Sequence, residues 1–91
     1  MKHVAKVYTT DMEAVVEKML DKVMFQQLGL KVKDNSELYP HNHLIINNCV
    51  ISYFSQEKKE EIQGASYDAI LCNEVSDRNF AYEVLETGLK V

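Results

Sequence analysis

Residues 67–75 read Tyr-Asp-Ala-Ile-Leu-Cys-Asn-Glu-Val, and this stretch constrains the fold more than any other. Its middle, Ala69-Ile70-Leu71-Cys72, is a short unbroken apolar run. Gly64 and Ser66 punctuate it on one side, Ser76 and Asp77 on the other. A run this short with a β-branched residue reads as a strand buried on both faces. Such strands belong to parallel or mixed sheets with helices on their faces. The sequence therefore predicts 69–72 as the interior rib of an α/β sheet. Asn73 and Glu74 follow at its carboxyl end, the edge where open α/β sheets bind ligands.

The other elements can be placed around that strand. Residues 3–9 mix Val4, Ala5, Val7 and Tyr8 with Lys6 and read as a first strand. Thr10-Asp11-Met12-Glu13 fits a capping box, and Asp11 adds charge that the helix dipole favours. Met12, Val15, Val16, Met19, Leu20, Val23, Met24 and Leu28 then recur at helical spacing, with Glu13, Glu17, Lys18, Asp21 and Lys22 on another face. Gly29 suits the position just past the helix. A methionine-rich stripe can be an adaptable binding surface, but the spacing is that of a core face. The stripe is expected to pack on the sheet.

Residues 30–33 read as a short edge strand, 34–37 as a turn, and Pro40 excludes a regular helix there. Residues 43–46 and 49–54 flank Asn47-Asn48, which predicts a β-hairpin with a type I′ turn. Residues 55–63 are highly charged and form either a solvated helical turn or a mobile loop. Ser76 can cap a final helix, with Phe80, Ala81, Val84 and Leu85 facing inward and Gly88 at its end. The fold class expected is α/β: one domain over 1–91, a mixed β-sheet in strand-helix-hairpin-strand-helix order, with helices packed on the sheet.

A length of 91 residues with 46% hydrophobic content sustains one small core. The net charge of −4 argues against free-standing nucleic-acid binding, although Lys2, Lys6, Lys31 and Lys33 are locally basic. Cys49 and Cys72 sit in apolar stretches and are expected to be small buried side chains in a reducing compartment. The amino-terminal residues are too polar for a signal peptide, and no apolar run reaches membrane-spanning length. A cytoplasmic protein without a membrane association is expected, in the host cytoplasm if the protein is viral.

Few residues suggest chemistry. His41-Asn42-His43 spells the name of a nuclease family, but that family needs its histidines on separate parts of a ββα metal unit. His41 and His43 share one face of a strand, which suits binding, yet no cysteine or acid stands at a ligand spacing beside them. The competing reading is an exposed pair leading into the hairpin. Glu74 and Asp77 lie at the carboxyl end of the 69–72 strand and could reach a magnesium ion. Asp68 begins that strand, at the opposite end.

Ile70-Leu71-Cys72-Asn73-Glu74 resembles the acidic strand of P-loop ATPases. There the first acid holds nucleotide-bound magnesium and the next orients the attacking water. The order around it is similar to that in bacteriophage large terminase subunits, the DNA-packaging motor ATPases. The matching segments are Asn48-Cys49-Val50-Ile51-Ser52-Tyr53-Phe54-Ser55, a charged stretch, then Ile62-Gln63-Gly64-Ala65-Ser66-Tyr67-Asp68, with the helix at 11–28 upstream. The resemblance spans residues 3–86 and implies an ATPase-like scaffold with Glu74 as the catalytic carboxylate. The departures are equally specific. Gly29, Gly64 and Gly88 form no phosphate-binding loop, and Asn73 replaces the metal-binding acid.

Together these readings lead to a small non-enzymatic phage protein that binds another protein, as an accessory factor or inhibitor, on a degenerate ATPase-like scaffold. It needs no cofactor and has the exposed edges for a homodimer. The alternative is a component that completes an ATPase or nuclease site in trans through Glu74.

Overall fold

The computed structural model describes residues 1–34, 42–58, 62 and 66–72. They form a mixed sheet of five strands with one α-helix packed against it, a small α/β domain. The elements are β1 (Lys2–Tyr8), α1 (Asp11–Gln27), β2 (Val32–Asp34), β3 (His43–Ile46), β4 (Cys49–Ser55) and β5 (Ala69–Cys72), with a 3₁₀ turn at Gln56–Lys58 after β4. The strand order is β2-β3-β4-β1-β5. β1 lies parallel to both β4 and β5, while β3 is antiparallel to β2 and β4. The expected helix after Ser76 lies outside the described residues.

Among the described strands the interior ones are β3, β4 and β1, not β5, which is a correction to the expected layout. β5 pairs with β1 alone among the described strands, and Leu71 and Cys72 are exposed. A four-residue apolar run satisfies an edge as well as an interior position. β4 shows what an interior strand requires: every residue from Val50 to Ser55 is buried. The exposure of Cys72 also corrects its expected burial. Cys49 is half-buried, and both thiols are free.

Local sequence explains the ends of α1. The Thr10 hydroxyl accepts the Glu13 amide at 3.1 Å, the first half of the expected capping box. At the other end Gly29 adopts φ +83°. Its amide donates to the Gln26 carbonyl, and the Leu30 amide donates to that of Phe25. This is a Schellman closure, and it needs a residue that tolerates the left-handed region. In the β3–β4 hairpin only Asn47 has positive φ, at 50°, so one of the two angles expected of the turn is present.

The second correction concerns which side of α1 faces the sheet. Ala14, Lys18 and Asp21 are buried, with Phe25 half-buried beside them. The apolar stripe from Met12 to Leu28 points away, its members 42–78% exposed. The sheet surface supplies the reason. On the α1 side, β1 presents Lys6 and Tyr8, and β4 presents Tyr53 and Ser55 in register with them. These polar groups need partners that methionine and valine cannot provide. Asp21 Oδ2 accepts from Lys6 Nζ at 2.6 Å and from the Tyr53 hydroxyl at 2.7 Å. Asp11 Oδ1 accepts from Ser55 Oγ at 2.7 Å. Asp34 of β2 takes Lys18 at 2.6 Å and Lys22 at 3.1 Å.

Apolar packing fills the space around these bonds. Tyr8, Ala14, Leu44, Ile51 and Tyr53 form one cluster under the helix. Ala5, Val7, Phe54, Ile62 and Tyr67 form another on the opposite face of the sheet, with Ile70 against it.

The network sets two expectations. Asp21→Ala leaves the Lys6 ammonium and the Tyr53 hydroxyl without their shared acceptor, so it costs about 3 kcal/mol in urea denaturation. Glu17→Ala stays within about 0.5 kcal/mol. Stability also falls in alkali. Burial and the Asp21 bond raise the Tyr53 pKa above its ordinary 10.0. Burial likewise raises that of Tyr8. For Lys6 burial pulls downward, but the Asp21 and Tyr8 contacts outweigh it and the pKa rises from 10.5. Each raised group binds its proton more tightly in the native state. Its contribution is therefore full below the unfolded pKa and is lost as pH rises through the folded one. Stability measured by denaturation against pH declines above about pH 10, and Tyr53→Phe makes that decline shallower.

Candidate functional site

In open α/β sheets the carboxyl ends of parallel strands are the first place to look for a ligand. Here β1 ends at Tyr8 and β4 at Ser55, on the same edge, with β5 ending beside them. Thr9 and Thr10 alone connect β1 to α1. A phosphate-binding helix start needs open backbone amides and a positive dipole end. Here one of those amides is taken by a side chain and the first turn is acidic. Thr10 takes the Glu13 amide, and Asp11 and Glu13 place two carboxylates in the first turn. Asp11 is held by Ser55 and lies 3.9 Å from Lys58 Nζ. An incoming phosphate would meet the negative charge of Asp11 and Glu13.

Of the site residues expected from sequence, Asn73, Glu74, Asp77 and His41 lie outside the described residues. His43 is described, and its position corrects the reading of it as half of an exposed pair. It is fully buried in β3, directly opposite Ser52 of β4. Strand alternation explains this. Leu44 packs under α1, so His43 faces the other side of the sheet, where the second apolar cluster lies. Ser52 is fully buried as well and bonds His3 Nε2 at 2.8 Å. Among the described residues no acid side chain bonds the His3 ring to complete a hydrolytic triad. Asp68 Oδ2 binds the His3 backbone amide at 2.7 Å, not its ring, and the Asp68 amide returns a bond to the His3 carbonyl. The ring of His3 instead meets Tyr67 edge-on at 4.5 Å. Asp68 therefore fastens the start of β5 to the start of β1. Among the described residues, no three His, Cys, Asp or Glu side chains gather into a metal-binding group.

The outer face of α1 is the surface with the most unusual chemistry. At about 100° per residue, Met12, Val16, Leu20, Met24 and Leu28 form one continuous row at i+4 spacing. Val15, Met19 and Val23 form the adjacent row. No charged residue interrupts either row. With these side chains roughly half exposed or more, the face leaves on the order of 800 Å² of apolar surface in water. The largest apolar patch of an ordinary monomer is about 300–600 Å². Beyond α1, Leu71 of β5 is 54% exposed, opposite Lys6 in register and so on the same side of the sheet.

The signal for this arrangement was present in β1 and β4. Lys6 interrupts the apolar run Val4-Ala5 and Val7-Tyr8 of β1, and Tyr53 with Ser55 ends β4. Alternation puts these residues on one face, which calls for a charged helical stripe above it.

No family model, no curated protein and no solved structure matches the chain. No helix among the described residues is long and apolar enough to cross a membrane.

The closed helix start has a direct test. Magnesium–ATP at millimolar concentration should leave the backbone amide resonances of residues 9–13 unmoved. Saturable shifts there that disappear in Thr10→Ala would show that the cap opens to phosphate.

Proposed function

We propose that the protein acts without catalysing a reaction, by binding protein through the outer face of α1. The observation that carries this reading is the pair of uncharged apolar rows held in water by a helix whose other side is tied to the sheet. Large apolar patches on small domains mark contact surfaces. Three methionines, Met12, Met19 and Met24, make this one adaptable. A membrane surface is a poorer occupant. Interfacial helices carry lysine and arginine on their polar flank, whereas Glu13 and Glu17 flank this stripe and the chain carries a net charge of −4.

The terminase resemblance fits this proposal as a statement about ancestry: a phage protein that keeps an ATPase-like scaffold and uses it for binding, as an accessory factor or inhibitor. The acidic, capped start of α1 and the replacement of an acid by Asn73 support a scaffold turned from nucleotide chemistry to contact.

Photo-crosslinking in cells tests the docking face. A benzophenone amino acid in place of Val16 should give a covalent adduct with protein, and one in place of Lys33 should give little. If Val16 and Lys33 label alike, or Val16 yields no adduct, the docking reading fails.

A further inference from the structure

We propose that the occupant of the α1 outer face is a second copy of this chain, packed helix on helix across a two-fold axis. This rests on the reading of that face as a docking surface and names what docks there.

Area is the first argument. A stable interface of standard size buries about 800 Å² on each partner. The eight exposed side chains of the stripe supply apolar surface of that order without recruiting any other element. The second argument is shape. Helices pack by laying the ridge of one into the groove of the other, and the commonest arrangement sets i±4 ridges against i±4 grooves at about −50°. The outer face of α1 is made of two such ridges, Met12-Val16-Leu20-Met24-Leu28 and Val15-Met19-Val23, with one groove between them. A surface holding both the ridge and its matching groove is complementary to itself, which a two-fold interface requires. Charge is the third. Self-association places every residue near its own like, so a charged patch repels its copy. These rows carry none: Glu13 and Glu17 flank them without entering either row, and Lys18 and Lys22 are turned to Asp34.

The packing of α1 on its own sheet keeps the face presented. Asp21 and Lys18 hold the polar side inward through bonds of 2.6–2.7 Å. The helix cannot roll its apolar rows onto the sheet without stranding Lys6 and Tyr53. Association with another copy buries the rows and leaves those bonds intact.

Sedimentation of the full chain at about 100 μM should give a dimer. Leu20→Glu places an unpaired carboxylate in the centre of the contact and should weaken association at least ~100-fold, with the circular-dichroism spectrum unchanged. Lys33→Glu, on β2 away from α1, should leave the dimer as it is. A second measurement stands apart from mutation. In a mixture of copies with labelled methionine methyls and unlabelled copies, filtered Overhauser contacts should link Met12, Met19 and Met24 to the other chain. A monomer at that concentration, or a dimer indifferent to Leu20→Glu whose methionine methyls show no such contacts, overturns the inference. A monomer whose Val16 photoprobe still labels a different protein overturns the two-fold pairing alone and leaves the docking face standing. A monomer with no adduct overturns both.

Discussion

The arrangement depends on one shared acceptor. Asp21 Oδ2 takes hydrogen bonds from both Lys6 and Tyr53, and these join the helix to β1 and β4, neighbours inside the sheet. The Lys6 ammonium lies 5.7 Å from the centre of the Tyr53 ring and 5.9 Å from that of Tyr8, so cation–π attraction adds to the ion pair. A lysine in the middle of a central strand loses solvent on folding, and only a negative partner offsets that loss. The acid had to come from the element above it. Once it did, the polar side of α1 faced inward and the apolar side faced out. The exposed stripe is thus a consequence of the buried pair.

That dependence explains what the sequence could and could not show. Helical periodicity from Met12 to Leu28, the Thr10 cap, the Gly29 terminus and the hairpin around Asn47 are local properties, and each appears where its chemistry indicates. The direction in which α1 faces is not local. Its sequence carries two opposed stripes, one apolar and one charged. A rule that apolar residues point inward chooses the first unless the sheet beneath is considered. Lys6, Tyr53 and Ser55 made the choice, from positions 15 to 44 residues away from the helical groups they bond. The rank of β5 in the sheet was hidden for a similar reason. Ala69-Ile70-Leu71-Cys72 and the longer run in β4 satisfy the same apolar criterion, and only pairing distinguishes a margin from an interior strand.

The site expectations divide along the same line. His43 sat in a motif that looks accessible in one dimension, but alternation along β3 sends it into the sheet beside Ser52. The chemistry expected at Asn73, Glu74 and Asp77 rested on an edge where parallel strands end, and parallel pairing of β1 with β4 and β5 does produce such an edge. What occupies its described part is Asp11, bonded to Ser55, beneath a threonine cap. A helix start that must receive phosphate keeps its amides open and its first turn free of acid. Here one amide goes to the Thr10 hydroxyl and Asp11 is tied to Ser55, which gives rigidity at the base of α1.

Rigidity is also what a contact helix needs. A free amphipathic helix of this length is marginal in water and must be ordered at the moment of binding, which weakens association. α1 is ordered beforehand by bonds on its polar side, so its apolar rows meet a partner without that conformational loss. Two such helices gain further, since each is ordered by its own sheet. The inverted orientation of α1 and the self-matching rows on its surface then describe one device: a buried charge pair holds an apolar ridge in place for a second molecule.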